Sequence, residues 1–127
     1  MKMLSHVSVG VKDLTKSRRF YDAAFEPLGY KRLFESTEYL GYGTATPEFW
    51  VLAVKHPVSA DDESGLRFCF DAASRTEVNA FHQAALAAGG RDNGKPGVRK
   101  DYGDHYYAAF VTDPDGYRLE AYTTSPK

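Results

Sequence analysis

Between Ser5 and Val11 the apolar and polar positions alternate, with Val7, Val9 and Val11 on one side and His6, Ser8 and Gly10 on the other. A period of two is that of a strand with one buried face. After Asp13 the period changes. Phe20, Ala24 and Leu28 recur at helical spacing, and Gly29 ends the run. Three short strand-like runs follow, at Tyr30–Glu35, Glu38–Gly43 and Phe49–Val54. The polar, punctuated stretch Lys55–Gly65 reads as a linker.

The same order then returns. "FYDAAFEPLGY" starts at Phe20 and "FHQAALAAGG" at Phe81, 61 positions on. That shift carries Val7, Val9 and Val11 onto Phe68, Phe70 and Ala72, and His6 onto Arg67. The second helix opens with "SRTE", Ser74 to Glu77, a capping box in which each side chain satisfies a free N–H of the first turn. It is expected to bury Val78, Phe81, Ala85 and Leu86 and to stop at Gly89-Gly90. A weak strand is expected near Gly90–Asn93, then a loop, "GKPGVRKDYGD". Strands at His105–Val111 and Tyr117–Tyr122 follow, joined by "TDPDG", in which proline presets φ and glycine accepts positive φ. The order is βαβββ, twice. Module one covers about 1–54, the linker 55–65 and module two about 66–124, within one α+β domain. Each module is a sheet with a helix on one face, and two such sheets can cover their bare faces by curling around each other.

At 127 residues the chain can bury a sizeable core. Its aromatic share, 14% with nine tyrosines, suits an aromatic-lined cavity or a β-rich core. A net charge of -1 gives no electrostatic reason to expect nucleic acid or an anionic membrane as partner. No run reaches the ~18 apolar residues of a membrane span. "MKMLSHVSV" lacks the pattern of a signal peptide, and the single cysteine, Cys69, excludes an internal disulfide. The expectation is a cytoplasmic protein.

Three segments carry a resemblance: "HVSVGVKDLTKSRRFYDAAFEPLGY", "FHQAALAAGG" and "YYAAFVTDPDGYRLEAY". With them the chain resembles the vicinal oxygen chelate superfamily, the group of glyoxalases, bleomycin-resistance proteins and extradiol dioxygenases. The resemblance implies two βαβββ modules in a half-open barrel around a cavity, a small-molecule ligand and a homodimer. In the metal enzymes of that family a histidine starts the first strand of each module, and a glutamate or similar ligand comes from the last. His6 matches the first ligand and Glu120, in "RLEAY", the last. Arg67 stands where the second histidine would be. The place corresponding to Glu120 in module one is Leu52 or, if the turn slips by two, Trp50; Glu48 is nearby at the strand entrance. The metal set His6 and Glu120 is therefore incomplete. A guanidinium has no lone pair to donate and repels a divalent cation. It would pair instead with Glu120. The expected cofactor is none, or a weakly bound divalent metal.

Each position also has a plain reading. His6 is a site corner or a strand-end imidazole near solvent. Glu120 faces the cavity if Leu119 and Ala121 face the helices, and is otherwise an outward charge. Arg67 faces the cavity or snorkels outward. Cys69 reads first as a small buried hydrophobe, and His56 and His82 as solvated surface. "DYGDHYY" places Tyr102, His105, Tyr106 and Tyr107 at the mouth of a cavity strand, where one of Tyr106 and Tyr107 must face inward to bind a ligand or fill the core. Trp50 is a further ligand-binding candidate, and Arg99 and Lys100 lie where a lid would be.

Two functions remain open. One is a lyase-, isomerase- or dioxygenase-like enzyme, metal-assisted or metal-free, with His6, Arg67 and Glu120 as catalytic groups, Arg67 at the oxyanion and His6 or Glu120 as base. The other is a metal-free module that binds or sequesters a small aromatic or anionic molecule.

Overall fold

The structure is a computed structural model describing residues 2–61 and 63–127. Asp62, within the stretch read as a linker, and Met1 lie outside the described residues. The order is β1 (Val7–Val11), α1 (Leu14–Phe25), a 3-10 turn (Glu26–Leu28), β2 (Lys31–Glu35), β3 (Tyr39–Gly43) and β4 (Pro47–Ala53). Then come β5 (Arg67–Asp71), α2 (Arg75–Ala87), β6 (Arg91–Val98), β7 (Tyr107–Thr112) and β8 (Arg118–Thr123). Each module makes its own sheet, β1-β4-β3-β2 and β5-β8-β7-β6, with the first strand parallel to the last. The fold is α+β with the expected two βαβββ modules. The two sheets are not closed into a barrel.

Local chemistry explains the helix starts. Asp13 accepts from Lys16 N–H at the mouth of α1. At α2 the capping box forms: Ser74 Oγ accepts from Glu77 N–H, and Glu77 Oε1 from Ala73 N–H. Both helices lie on one side of their sheets and pack on each other. Phe20, Tyr21, Phe25, Tyr42 and Phe81 are fully or almost fully buried in one core with Val11, Val51, Val111 and Leu119. The rings meet edge to face: Phe25 lies 4.9 Å from Phe70, and Phe49 5.6 Å from Phe68, which ties the modules together. Burying each such ring contributes about 1.5–3 kcal/mol.

Four expectations need correction. The segment Gly94–Val98 is strand rather than loop, because β6 is an edge strand with bulges at Asp92/Gly94 and Gly94/Gly97, where Pro96 costs no ladder bond. Leu86 is exposed at 37%, lying off the buried stripe of Val78, Phe81 and Ala85. His82 is buried and bonds Asp92 at 2.9 Å. That bond holds the Asp92 carboxyl below the usual range. Cys69 is open to solvent, because its strand parity takes it away from the helices.

Candidate functional site

The register fixes which side chains share a face. Phe68 and Phe70 on β5, with Leu119 and Ala121 on β8, face the helices. Arg67, Cys69, Glu120 and Tyr122 therefore lie on the opposite, unpacked face, and Phe110 of β7 joins them as the register partner of Glu120. The same parity divides the tyrosine pair. Tyr107 turns to α2 and donates to Asn79 Oδ1 at 2.6 Å. Tyr106 turns to the site and donates to Glu120 Oε2 at 2.6 Å.

Glu120 is buried at 4% exposure, and Arg67 Nη1 lies 3.9 Å from its Oε1. This is an ion pair without a tight hydrogen bond. Burial, then the bond to Glu120, raises the Tyr106 hydroxyl above its ordinary value, so at neutral pH it is a phenol that donates. The Cys69 thiol stands opposite Glu120. Although the residue is open to solvent, desolvation at the sulfur and the Glu120 charge push it up to about 12. It is a poor nucleophile. Tyr106 stacks on Tyr122 with centroids 4.9 Å apart and meets Tyr102 edge-on at 5.2 Å. Tyr102 is 62% exposed and His105 is exposed.

The remaining candidates lie on module one. His6 is exposed and contacts Ser5 Oγ at 3.0 Å. His6, Glu48, Arg67 and Cys69 line a cleft of about 380 Å³ between the modules, floored by Phe25, Phe49, Phe68 and Phe70. Glu120 is not part of that lining; Arg67 and Cys69 are the side chains that reach both places. Glu48 is held by Lys2 at 2.9 Å.

The place corresponding to Glu120 in module one is Trp50. It pairs with Ser8 on the first strand as Glu120 pairs with Cys69, and with Gly41 as Glu120 pairs with Phe110. Trp50 gathers Phe34 at 5.6 Å and Tyr39 at 6.5 Å into an exposed aromatic platform. Among the described residues, no group of three or more His, Cys, Asp or Glu could hold a metal ion. Of the four places that the family resemblance gives to metal ligands, one holds an indole and one a guanidinium, and the guanidinium, which has no lone pair to donate, is ion-paired with the Glu120 carboxylate.

Sequence reasoning missed Phe110 and Tyr122 as site residues. Strand parity counted from Glu120 reaches both, once β7 and β8 are in register.

The profile of the Glyoxalase/Bleomycin resistance protein/Dioxygenase superfamily matches residues 3–121, and the chain belongs to that superfamily. A glyoxalase/bleomycin resistance protein from Albidiferax ferrireducens is 31% identical, with a TM-score of 0.82 over 95% of this chain and 98% of that one. A "Probable lactoylglutathione lyase" of Vibrio cholerae is 33% identical over 91% of this chain and 86% of its own length. The lactoylglutathione lyase of Arabidopsis thaliana is 34% identical over 95% of this chain, which spans 44% of that protein's length. The fold is also that of the fosfomycin resistance protein from Listeria monocytogenes, at 18% identity and a TM-score of 0.70. Among the described residues no helix is long and apolar enough to cross a membrane.

Proposed function

We propose that the chain turns over a small molecule by lyase- or isomerase-type proton transfer, without a tightly held metal. The observation that carries this reading is the Tyr106–Glu120–Arg67 chain: a buried carboxylate with a phenol donating to one oxygen and a guanidinium 3.9 Å from the other. Glu120 takes a proton from the carbon beside a substrate carbonyl. Arg67 holds the oxyanion that forms on that carbonyl, the part a Lewis acid would otherwise play. Glu120 then returns the proton to the neighbouring carbon while the substrate hydroxyl proton passes to the oxyanion, so that carbonyl and hydroxyl exchange places, with Tyr106 keeping the carboxylate in place. The relatives named lactoylglutathione lyase support this class of reaction. The test is steady-state turnover of hemithioacetals and related α-hydroxycarbonyl compounds by chelator-treated protein. Glu120→Gln should abolish turnover, and Tyr106→Phe should lower kcat with less effect on KM. A rate that appears only with added metal would defeat the metal-free reading.

The second reading is binding without turnover, favoured by Trp50 and its aromatic platform where a ligand to metal would stand. Equilibrium binding of a compound recovered unchanged would favour it.

A second copy of the chain is the proposed partner. The Trp50 face of one module and the Glu120 face of the other are both uncovered in a single chain, and a homodimer would cover them. Equilibrium sedimentation tests this, and a monomer at micromolar concentration would contradict it. The free thiol of Cys69 suits the reducing cytoplasm, where we place the protein.

A further inference from the structure

We infer that the face of the second sheet takes a ligand bearing an oxyanion, a carboxylate or phosphate group, between Arg67 and Arg99. This deepens the reading above and rests on it only for where the ligand lies. Both guanidiniums sit over one ring: the Arg67 Cζ lies 4.8 Å from the Phe110 centroid and the Arg99 Cζ 5.1 Å from it.

The backbone is shaped around this group. A Cβ at Gly94, where φ is +153°, would stand 2.7 Å from the Phe110 ring, and one at Gly97 would stand 3.0 Å from Arg99 Nη1. Arg99 is tied at both ends. Its Nη2 donates to the Lys95 carbonyl at 2.6 Å, and its backbone N–H donates to the Tyr106 carbonyl at 2.7 Å. The same segment therefore carries Arg99 and the phenol that holds Glu120.

The charges do not balance. Arg118 is the register partner of Arg67, so the two lie side by side on this face. Like charges facing each other across strands are destabilising. Arg118 Nε is spent on the Leu66 carbonyl, and among the described residues Arg99 and Arg118 have no carboxylate within ion-pair distance. Among the described residues Glu120 is the acid within ion-pair distance of this set, and Asp71, further along β5 on the same face, is a second carboxylate against the three cations. An incoming oxyanion would offset the repulsion and meet planar forks matched to its geometry.

Inorganic phosphate and benzoate are the probes, titrated at constant ionic strength while backbone amide shifts and the thermal midpoint are followed. At least one should bind saturably, perturb the amides of Phe110 and Glu120 and raise the midpoint. Arg99→Ala and Arg67→Ala should each weaken binding about tenfold, the loss of one charge-assisted contact. Arg99→Lys, which keeps the charge without the fork and spares a loop that Arg99→Ala could loosen, should weaken it several-fold. Arg19→Ala, a cation elsewhere, should change nothing. Absence of saturable binding, or binding by Arg99→Ala equal to wild type, overturns the inference. The proton-transfer reading fails separately: Tyr106→Phe that binds the probe and still turns over substrate at the wild-type rate defeats that reading and leaves this one standing.

Discussion

Trp50 and Glu120 occupy the same place in the two modules. Each sits on the last strand of its module, Trp50 opposite Ser8 and Glu120 opposite Cys69, the residue 61 positions on from Ser8, with its side chain on the face away from the helices. One place holds an indole and the other a carboxylate, and that difference separates an aromatic platform from a charged site within one repeated fold.

Trp50 owes its position to Gly41. A Cβ at residue 41 would stand 2.8 Å from the indole Cζ3 and 3.0 Å from the Pro47 Cβ. Gly41→Ala should push the ring outward and cost about 1–3 kcal/mol by overpacking. Trp50 is the single tryptophan, so its emission reads the change directly. A red shift with a lower unfolding midpoint is expected, and unchanged emission would contradict it.

Asp113 is buried beneath the β7–β8 turn, where it accepts from Tyr21 Oη at 2.5 Å and from the N–H groups of Asp115 and Tyr117. Burial pushes its carboxyl from 3.8 up to about 6. A raised acid holds its proton in the folded state after the unfolded chain has lost it, so its contribution to stability falls as pH rises from about 4 to about 6 and is level above that. Asp113→Asn removes this dependence. The stability of the variant relative to wild type should climb by roughly 3 kcal/mol across that window. Denaturant unfolding at a series of pH values measures it, and parallel pH curves for the two proteins would refute the burial argument.

Ser74 caps α2 through Glu77 N–H at 3.2 Å. Ser74→Ala should cost about 1 kcal/mol. Chemical unfolding that places the variant within error of wild type would mean that the cap is redundant with the Glu77–Ala73 bond.

The cap, the repeat and both helices were legible because their signals are local. The shift from Phe20 to Phe81 holds through β1 and β5 and through α1 and α2, which start at Leu14 and Arg75. It fails beyond them because the β6–β7 connection is longer than that between β2 and β3. Sequence alone therefore left Leu52 and Trp50 both open opposite Glu120, and the hydrogen-bonded register chose Trp50. Parity together with the family resemblance put Arg67 beside Glu120 but could not show Arg99 arriving over Phe110, on the segment that follows the bulges of β6. His82 read as surface because its partner, Asp92, lies on a different element.

The central proposal is that Arg67 stands where the family's metal enzymes place a ligand and that its charge opposes a resident ion. Arg67→His removes the cation standing between the His6 cleft and Glu120 and puts a neutral donor there, so that an ion drawing all three side chains together would have the two-histidine, one-carboxylate set that suits Fe(II) and related ions. Wild type and variant should be titrated anaerobically with Fe(II), Mn(II), Ni(II) and Zn(II), with binding and thermal midpoint followed together. The account predicts that the variant gains saturable binding and a metal-dependent rise in midpoint that wild type lacks. A wild type that already binds one equivalent tightly, or a variant that gains neither, would contradict it.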